Sequence, residues 1–338
     1  MIWFAFDSRI QVSRDGRSRV GERNPSSSER SASRNILLVD ALRGGARAHV
    51  RIDRTVATPH PGALRGSADA GIFSALEPAL FLVDGNNLLW RAAHGSPAPF
   101  AAADGRDLTP LFRFMTLLRR ALGTYGLFAE CVVCFDGADA WSGRLDLDAT
   151  YKSNRNYETK DLSFMGWLPE IRAALGGAGI TCLEIADSEA DDVIATIAAR
   201  THRPVRVLST DRDYFQLIGP RTTVASRRTL ADEDYVRARF GVEPRQWCDF
   251  RALTGDVSDG IPGLPGVGPA RAAALLGGGK TLDDLRHLPG ISERWDDLRR
   301  WRELIRLRTD VAVPFEPAGE PTPKLPPATA VCMELGLV

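Results

Sequence analysis

Two periods of apolar residues alternate along most of this chain. Short apolar runs at 79–83 and 131–135 each predict a buried strand, and the mixed stretches at 181–185, 205–208 and 222–225 predict further strands. Between them, apolar positions recur at helical spacing. The stretch 110–124 opens on Pro110, a residue suited to a first helical turn, and 164–175 follows the same period. Ser188 predicts a cap for a helix through 189–198. Strands alternating with helices predict an α/β fold, with a mostly parallel sheet and helices on both faces. After Asp232 the pattern turns helical to about Arg308. Residues 315–338 are Pro-rich and carry no core signal, so a tail is expected there. No internal repeat and no apolar run long enough to cross a membrane is present.

Residues 1–78 follow neither period. They hold 12 Arg, no Lys and eight acidic residues, with a Ser-rich stretch from Ser26 to Ser33. The eight acids argue against a transit peptide, and the apolar start lacks the basic flank of a secretory signal. Two readings stay open: a disordered basic extension, or translation from a start codon placed too early. Cys131 and Cys134 form the one CxxC pair among five cysteines. They lie inside a predicted strand with no second pair or His cluster, so they read as small buried hydrophobes of a protein in a reducing cytoplasm.

Three of the predicted strands end on acids: Asp84, Asp136, and Asp211 with Asp213. Sites in open parallel sheets form beyond the carboxyl ends of the strands, so these side chains are expected to converge. Glu189, Asp191 and Asp192 open a helix, and Asp256 and Asp259 form a further group. Taken singly, each is an ordinary turn or cap residue. Together they would repel one another and lose solvation unless a counter-charge joined them. Hard divalent cations with oxygen ligands supply it, Mg²⁺ or Mn²⁺ before any softer metal. Two such ions about 4 Å apart are the arrangement that clamps a phosphodiester undergoing displacement.

Two further segments suit a nucleic-acid substrate. Gly263, Gly266 and Gly268 space a hairpin between helical segments, open to a phosphate backbone, although a plain loop has the same look. The spacing is not GxGxxG and no strand precedes it, which argues against a dinucleotide enzyme. The connector 137–161 carries Tyr151-Lys-Ser-Asn-Arg155, and Lys152 is one of only four lysines. It reads either as a basic gate over the carboxylates or as a solvated loop.

In this order Val83-Asp-Gly-Asn86, Phe135-Asp136, Tyr151-Lys-Ser-Asn-Arg155, Glu189-Ala-Asp-Asp-Val193, Thr210-Asp-Arg-Asp213, Thr254-Gly-Asp-Val-Ser-Asp259 and Gly263-Leu-Pro-Gly-Val-Gly268 resemble the motifs of the 5′ nuclease (flap endonuclease) family, in the form found at the N-terminus of bacterial DNA polymerase I. The resemblance covers about 80–314. It implies a PIN-like catalytic domain over 79–230 and a helical arch at about 137–163. A helical helix-hairpin-helix region would follow over 231–314. It implies metal ligation, direct or through water, by Asp84, Asp136, Glu189, Asp191, Asp192, Asp211, Asp213, Asp256 and Asp259. Tyr151, Lys152, Arg155 and Arg91 would stand near the scissile phosphate. Gly263, Gly266, Gly268 and Arg271 would contact duplex DNA, with K⁺ at the hairpin. The implied activity is that of a stand-alone 5′-3′ exonuclease and flap endonuclease for primer removal and repair. It would be a monomer at the bacterial nucleoid, with no membrane and with a polymerase or sliding clamp as candidate partner. No role rests on Asn86 or Asn87. The rivals are a PIN-like RNase and a non-catalytic protein that binds branched DNA; the complete acidic set favours the enzyme.

The charge balance fits such a partner. The chain has 43 basic and 43 acidic residues, which taken alone would argue against nucleic acid. Residues 79–338 hold 31 basic and 35 acidic residues, and nine of those acids belong to the expected metal site. The remaining surface is mildly basic.

Overall fold

The computed structural model describes residues 78–95, 99–153 and 162–338. The expectations for residues 1–77 and for Arg155 fall outside them. β1 (Leu80–Asp84) is followed by α1 (Gly85–His94), α2 (Thr109–Tyr125), β2 (Glu130–Asp136), α3 (Ser142–Leu147), α4 (Leu168–Gly177), β3 (Thr181–Ile185), α5 (Ala190–Arg200) and β4 (Val205–Leu208). β5 (Thr222–Ala225) and the two-residue β6 (Leu230–Ala231) complete the sheet. The chain then runs through α6 (Glu233–Phe240), α7 (Trp247–Thr254), α8 (Pro269–Leu275), α9 (Trp295–Ile305) and α10 (Ala328–Glu334). The five predicted strands are all present, and β6 adds a short antiparallel edge.

Sheet order is β3-β2-β1-β4-β5-β6, parallel throughout except for β5 with β6. Every residue of β1 is buried, and its unbroken apolar run is what a strand covered on both faces requires. Side chains alternate between faces. Leu80 and Leu82 join α5, α7 and the helical C-terminal part in one core. Phe81 and Val83 join α1, α2, α4 and α10 in the other. The chain builds outward from β1 to β2 and β3, then returns to the other side with β4. That reversal puts the switch point of the sheet at the carboxyl end of β1. Among the described residues no helix is long and apolar enough to cross a membrane.

Two local expectations need correcting. Ser188 does not cap α5: the N-cap residue is Glu189, which makes no side-chain cap hydrogen bond. The backbone N–H of Ala190 instead donates to Asp136 Oδ1 at 2.9 Å, so a carboxylate from a neighbouring strand closes the helix start. The C-terminal segment is also more than a tail. Leu325, Ala328, Val331 and Cys332 are buried in the core with α2. The sequence hides this because the apolar period of α10 is only two turns long and follows a Pro-rich run that ends at Pro327.

This C-terminal segment, from Ala318 onward, forms a strap held by polar bonds at the end of the sheet away from the acidic strand ends. Cys131 N–H donates to Thr322 Oγ1 at 2.7 Å, and Arg119 Nε donates to the Leu325 carbonyl at 3.0 Å. Glu130 accepts from Ala318 N–H at 2.7 Å and Gly319 N–H at 3.0 Å, and pairs with Arg203 at 2.7 Å. Arg203 in turn donates to the Pro78 carbonyl at 2.6 Å. Glu130 and Arg203 are both buried. Replacing one partner of such a pair strands the other charge, so Glu130→Ala should cost about 3 kcal/mol or more in denaturant unfolding. A loss below about 1 kcal/mol, the scale of an exposed pair, would show that this network does not hold the strap.

Candidate active site

The strand ends place the first group of acids. Asp84 closes β1 and caps α1, accepting from Asn87 N–H at 2.9 Å. Its other oxygen accepts from Ser209 Oγ, just beyond β4, at 2.9 Å. Asp136 closes β2 and holds the start of α5, as above. The residue after it is fixed by packing: a Cβ on Gly137 would overlap the carbonyl oxygen of Ile185 at the end of β3. Asp211 follows β4 and accepts from Asp213 N–H at 2.9 Å. Tyr214 donates to Asp191 at 2.5 Å from beneath.

These groups are electrically incompatible with their surroundings. Burial pushes the Asp84 carboxyl up to about 7 against the hydrogen bond from Asn87, and Asp136 and Asp211 push it further the same way. Asp191 is raised well above the carboxylate range by burial first, then by Asp84, Asp211 and Glu189. Asp84, Asp136, Glu189, Asp191 and Asp211 thus act on one another as one crowded anionic group.

A second group joins it at Asp213. Carboxylate oxygens of Asp213, Asp256 and Asp259 lie within 4.8 Å of one another. The loop after α7 brings the last two there. Asp256 and Ile261 exchange both backbone hydrogen bonds, at 2.7 and 2.8 Å, and Leu264 N–H returns to Leu253 at 2.9 Å. The turn is tight enough that a Cβ on Gly263, whose φ is +73°, would meet the backbone of Gly255. Burial pushes Asp213 up to about 7, with Asp211 adding to it and Arg251 opposing. Arg251 lies 3.7 Å from Asp213 and is ion-paired to Asp256.

Glu189 faces the connector after β2. Arg144 and Lys152 both pair with it, and the Tyr151 hydroxyl donates to it at 3.3 Å. Lys152 adopts φ +55°, and its backbone N–H reaches the Asp259 carbonyl at 3.3 Å. Its ammonium lies 4.8 Å from the Tyr151 ring centre and 5.4 Å from that of Trp141. The described part of the connector, through Ser153, therefore folds down on both acidic groups.

Asp192 stands apart from the other eight. Arg144 grips it with two bonds of 2.8 Å, and Arg308 N–H adds a third at 2.9 Å. Its charge is already matched within the protein. Arg91 leaves α1 toward β4, half-buried, and its Nη1 is enclosed with no hydrogen-bond partner among the described residues. At the hairpin, Gly266 has φ +75°, Gly268 immediately precedes α8, and exposed Arg271 reaches the Gly266 carbonyl at 3.4 Å.

Four participants escaped sequence reasoning. Arg144 and Arg251 carry the internal counter-charge, and only their nearness to acidic motifs could have hinted at it. Asn86 accepts from Asp136 N–H at 3.0 Å, while Asn87 accepts from Thr210 N–H at 3.1 Å. Two adjacent side chains of α1 thus tie it to the ends of β2 and β4. The donor set is oxygen alone, buried and acidic, which fits hard divalent cations rather than soft metals.

Comparison with known proteins agrees with this arrangement. Residues 79–241 match the family described as 5′-3′ exonuclease, N-terminal resolvase-like domain, and 242–324 match 5′-3′ exonuclease, C-terminal SAM fold. The thermostable DNA polymerase I of Thermus filiformis is 33% identical over 282 residues, spanning 78% of this chain and 33% of that protein. The DNA polymerase I of Rhizobium leguminosarum is also 33% identical, over 70% of this chain and 25% of its own length. The chain thus spans a quarter to a third of these curated relatives. Bacteriophage T5 5′-exonuclease, solved with divalent metal ions, shares the fold with a TM-score of 0.57 at 23% identity, over 68% of this chain and 90% of its own. A T5 flap endonuclease, solved with DNA and metal ions, gives 0.55 at 23% identity, over 67% and 88%. This chain belongs to the 5′-3′ exonuclease family.

Proposed function

We propose that this protein hydrolyses DNA phosphodiesters as a 5′-3′ exonuclease and 5′-flap endonuclease, using two divalent ions, Mg²⁺ or Mn²⁺. Eight buried or half-buried carboxylates gathered beyond the carboxyl ends of the central strands carry this reading. Asp84, Asp136, Glu189, Asp191 and Asp211 would hold ions on the sheet side, and Asp213, Asp256 and Asp259 on the hairpin side. Asp192 serves by fixing Arg144 and, through it, Glu189. When bound, the ions supply a low-pKa water and Lewis-acid polarisation of the phosphate.

The chain's own residues do the rest. Lys152 is placed over the acidic groups, where its ammonium can meet a phosphate drawn among them. Tyr151 holds Glu189 through its hydroxyl, at 3.3 Å. Arg91, half-buried on α1, would bring its guanidinium charge toward the same phosphate. The hairpin at Gly263, Gly266 and Gly268, with Arg271 and a K⁺ ion, would hold the duplex backbone. The biological setting we infer is primer removal and repair in the bacterial cytoplasm, by a monomer or beside a polymerase or clamp. An RNase role is disfavoured because the hairpin suits a duplex backbone.

Asp136→Ala should abolish cleavage of a 5′-flap DNA in Mg²⁺, by about a thousandfold or more, while binding of the same DNA in Ca²⁺ persists. Unchanged turnover would overturn the metal assignment. Lys152→Ala should lower kcat far more than it raises KM in single-turnover and steady-state assays, because the ammonium serves the developing charge rather than docking. A pure KM effect would contradict that placement.

The raised carboxyls fix the pH response. Asp84 and Asp213 titrate near 7 when folded and near 3.8 otherwise. Protonation therefore favours the folded state, in full below the ordinary value, and this contribution disappears as pH rises through 7. In EDTA, Tm should climb as pH is lowered from about 8 to about 6. Divalent ions must displace those protons, so Mg²⁺ affinity by calorimetry should fall roughly tenfold over that range for each carboxyl that must ionise. A flat affinity would mean that neither group is a ligand.

A further inference from the structure

The two acidic groups meet in one short 3-10 turn beyond β4, Asp213–Leu217. Its first residue, Asp213, belongs to the hairpin-side group, and the Asp213 backbone N–H holds Asp211 of the sheet side at 2.9 Å. Its second residue, Tyr214, is fully buried in the core on the α5 face of the sheet. The Tyr214 hydroxyl donates to Asp191 Oδ1 at 2.5 Å. Two successive residues therefore serve both groups.

That turn is fastened from two sides. Gln216 Nε2 donates to the Asp213 carbonyl at 2.8 Å and to the Ile305 carbonyl of α9 at 3.0 Å, while its Oε1 accepts from Leu307 N–H at 3.0 Å. The Phe215 ring meets Trp247 of α7 edge-on at 5.0 Å and Phe240 of α6 at 5.8 Å. A phenol set in a close-packed core on such a mount has little freedom to follow a shifting partner. Its hydroxyl is a fixed point in the molecule.

Asp191 depends on that point more than its neighbours do. Asp84 has a donor on each oxygen, Asp136 is tied to the α5 backbone, and Glu189 has Arg144, Lys152 and Tyr151. Asp191 lies in the first turn of α5, and among the described residues the Tyr214 hydroxyl is the group that hydrogen-bonds its side chain. A buried phenol O–H must find an acceptor, and most side-chain hydrogen bonds go to the backbone or to water. Here the acceptor is a carboxylate of the acidic cluster. With one oxygen held, the carboxylate is oriented and its second oxygen is left for a cation. Outer hydrogen bonds of this kind orient a ligating group and tune its metal affinity.

We infer that Tyr214 is a positioning residue of the metal centre: its hydroxyl aims Asp191 at the sheet-side ion and, through the peptide it shares with Asp213, ties that ion's place to the hairpin-side one. This deepens the nuclease reading and rests on it. The ligand is a hard divalent cation, which Asp191 would touch and Tyr214 would not.

The test uses the full chain with Tyr214→Phe, which removes the hydroxyl and keeps the ring, alongside Asp191→Asn and the double variant. Mn²⁺ binding is measured by calorimetry without DNA, and cleavage of a 5′-flap DNA across a Mg²⁺ series. Tyr214→Phe should weaken Mn²⁺ binding at one site by about tenfold or more. At limiting Mg²⁺ its kcat should fall by a similar factor with KM for DNA nearly unchanged, and excess Mg²⁺ should restore much of the loss. Once Asp191→Asn is in place, adding Tyr214→Phe should change Mn²⁺ binding little, because the hydroxyl acts through that carboxylate. Unchanged Mn²⁺ affinity and kcat in Tyr214→Phe would overturn the inference, as would an equal loss in the presence and absence of Asp191→Asn. A Tyr214→Phe variant that does not fold, or whose loss is confined to Tm in EDTA, would also overturn it, by assigning the phenol to packing. Calorimetry is read without turnover, so a chain whose Mn²⁺ affinity depends on Tyr214 but which cleaves no DNA would refute the nuclease reading alone.

Discussion

Mutual repulsion among buried carboxylates is the constraint around which this molecule is organised. The reversal of the sheet at β1 gathers Asp84, Asp136 and Asp211 at one edge, and α5 adds Glu189 and Asp191. Burial and proximity then raise Asp84, Asp191 and Asp213 together. An edge like this is a poor contributor to stability on its own. Local stability must come from elsewhere: two cores on either face of the sheet, and a C-terminal strap fastened at the far end of the strands. Function and cohesion are thus placed at opposite ends of the same strands.

The protein tempers the repulsion with its own cations. Arg144 bridges Glu189 and Asp192, Arg251 lies between Asp213 and Asp256, and Lys152 reaches Glu189. The three differ in kind. Arg144 and Arg251 are anchored on helices, and Arg144 Nε also bonds to the Leu304 carbonyl of α9 at 3.2 Å. Lys152 instead sits in the connector on a left-handed backbone conformation. A compact ammonium on a four-carbon stem is the group best suited to change partners when a phosphate arrives.

Most of the scaffold was legible in the sequence because its signals are local. An apolar run followed by Asp names both the strand and the end of the strand that matters. The carboxylate set follows from that, without any knowledge of side-chain contacts. What stayed hidden depends on choices between distant partners. Asp191 and Asp192 are neighbours in sequence, yet about 100° apart around a helix. One turns to Tyr214 and the acidic edge, the other to Arg144 and the Arg308 backbone. Nothing in Glu-Ala-Asp-Asp says which. The cap of α5 was misassigned for the same reason, since Asp136 comes from 54 residues away. The strap was missed because its helical period, Ala328, Val331, Cys332 and Leu335, spans only two turns after a Pro-rich run.

The two asparagines that open α1 have a geometric consequence. Each bonds to the backbone at the end of a strand flanking β1, one on either side. The helix start is therefore centred over three strands at once. Adjacent strands lie about 4.8 Å apart, a spacing fixed by main-chain hydrogen bonding rather than by side-chain rotamers. That pitch is close to the separation of about 4 Å that paired cations need across a phosphodiester. The acidic edge is in effect ruled by the sheet itself. Such a ruler survives wholesale replacement of the side chains between its marks, because main-chain bonding sets it.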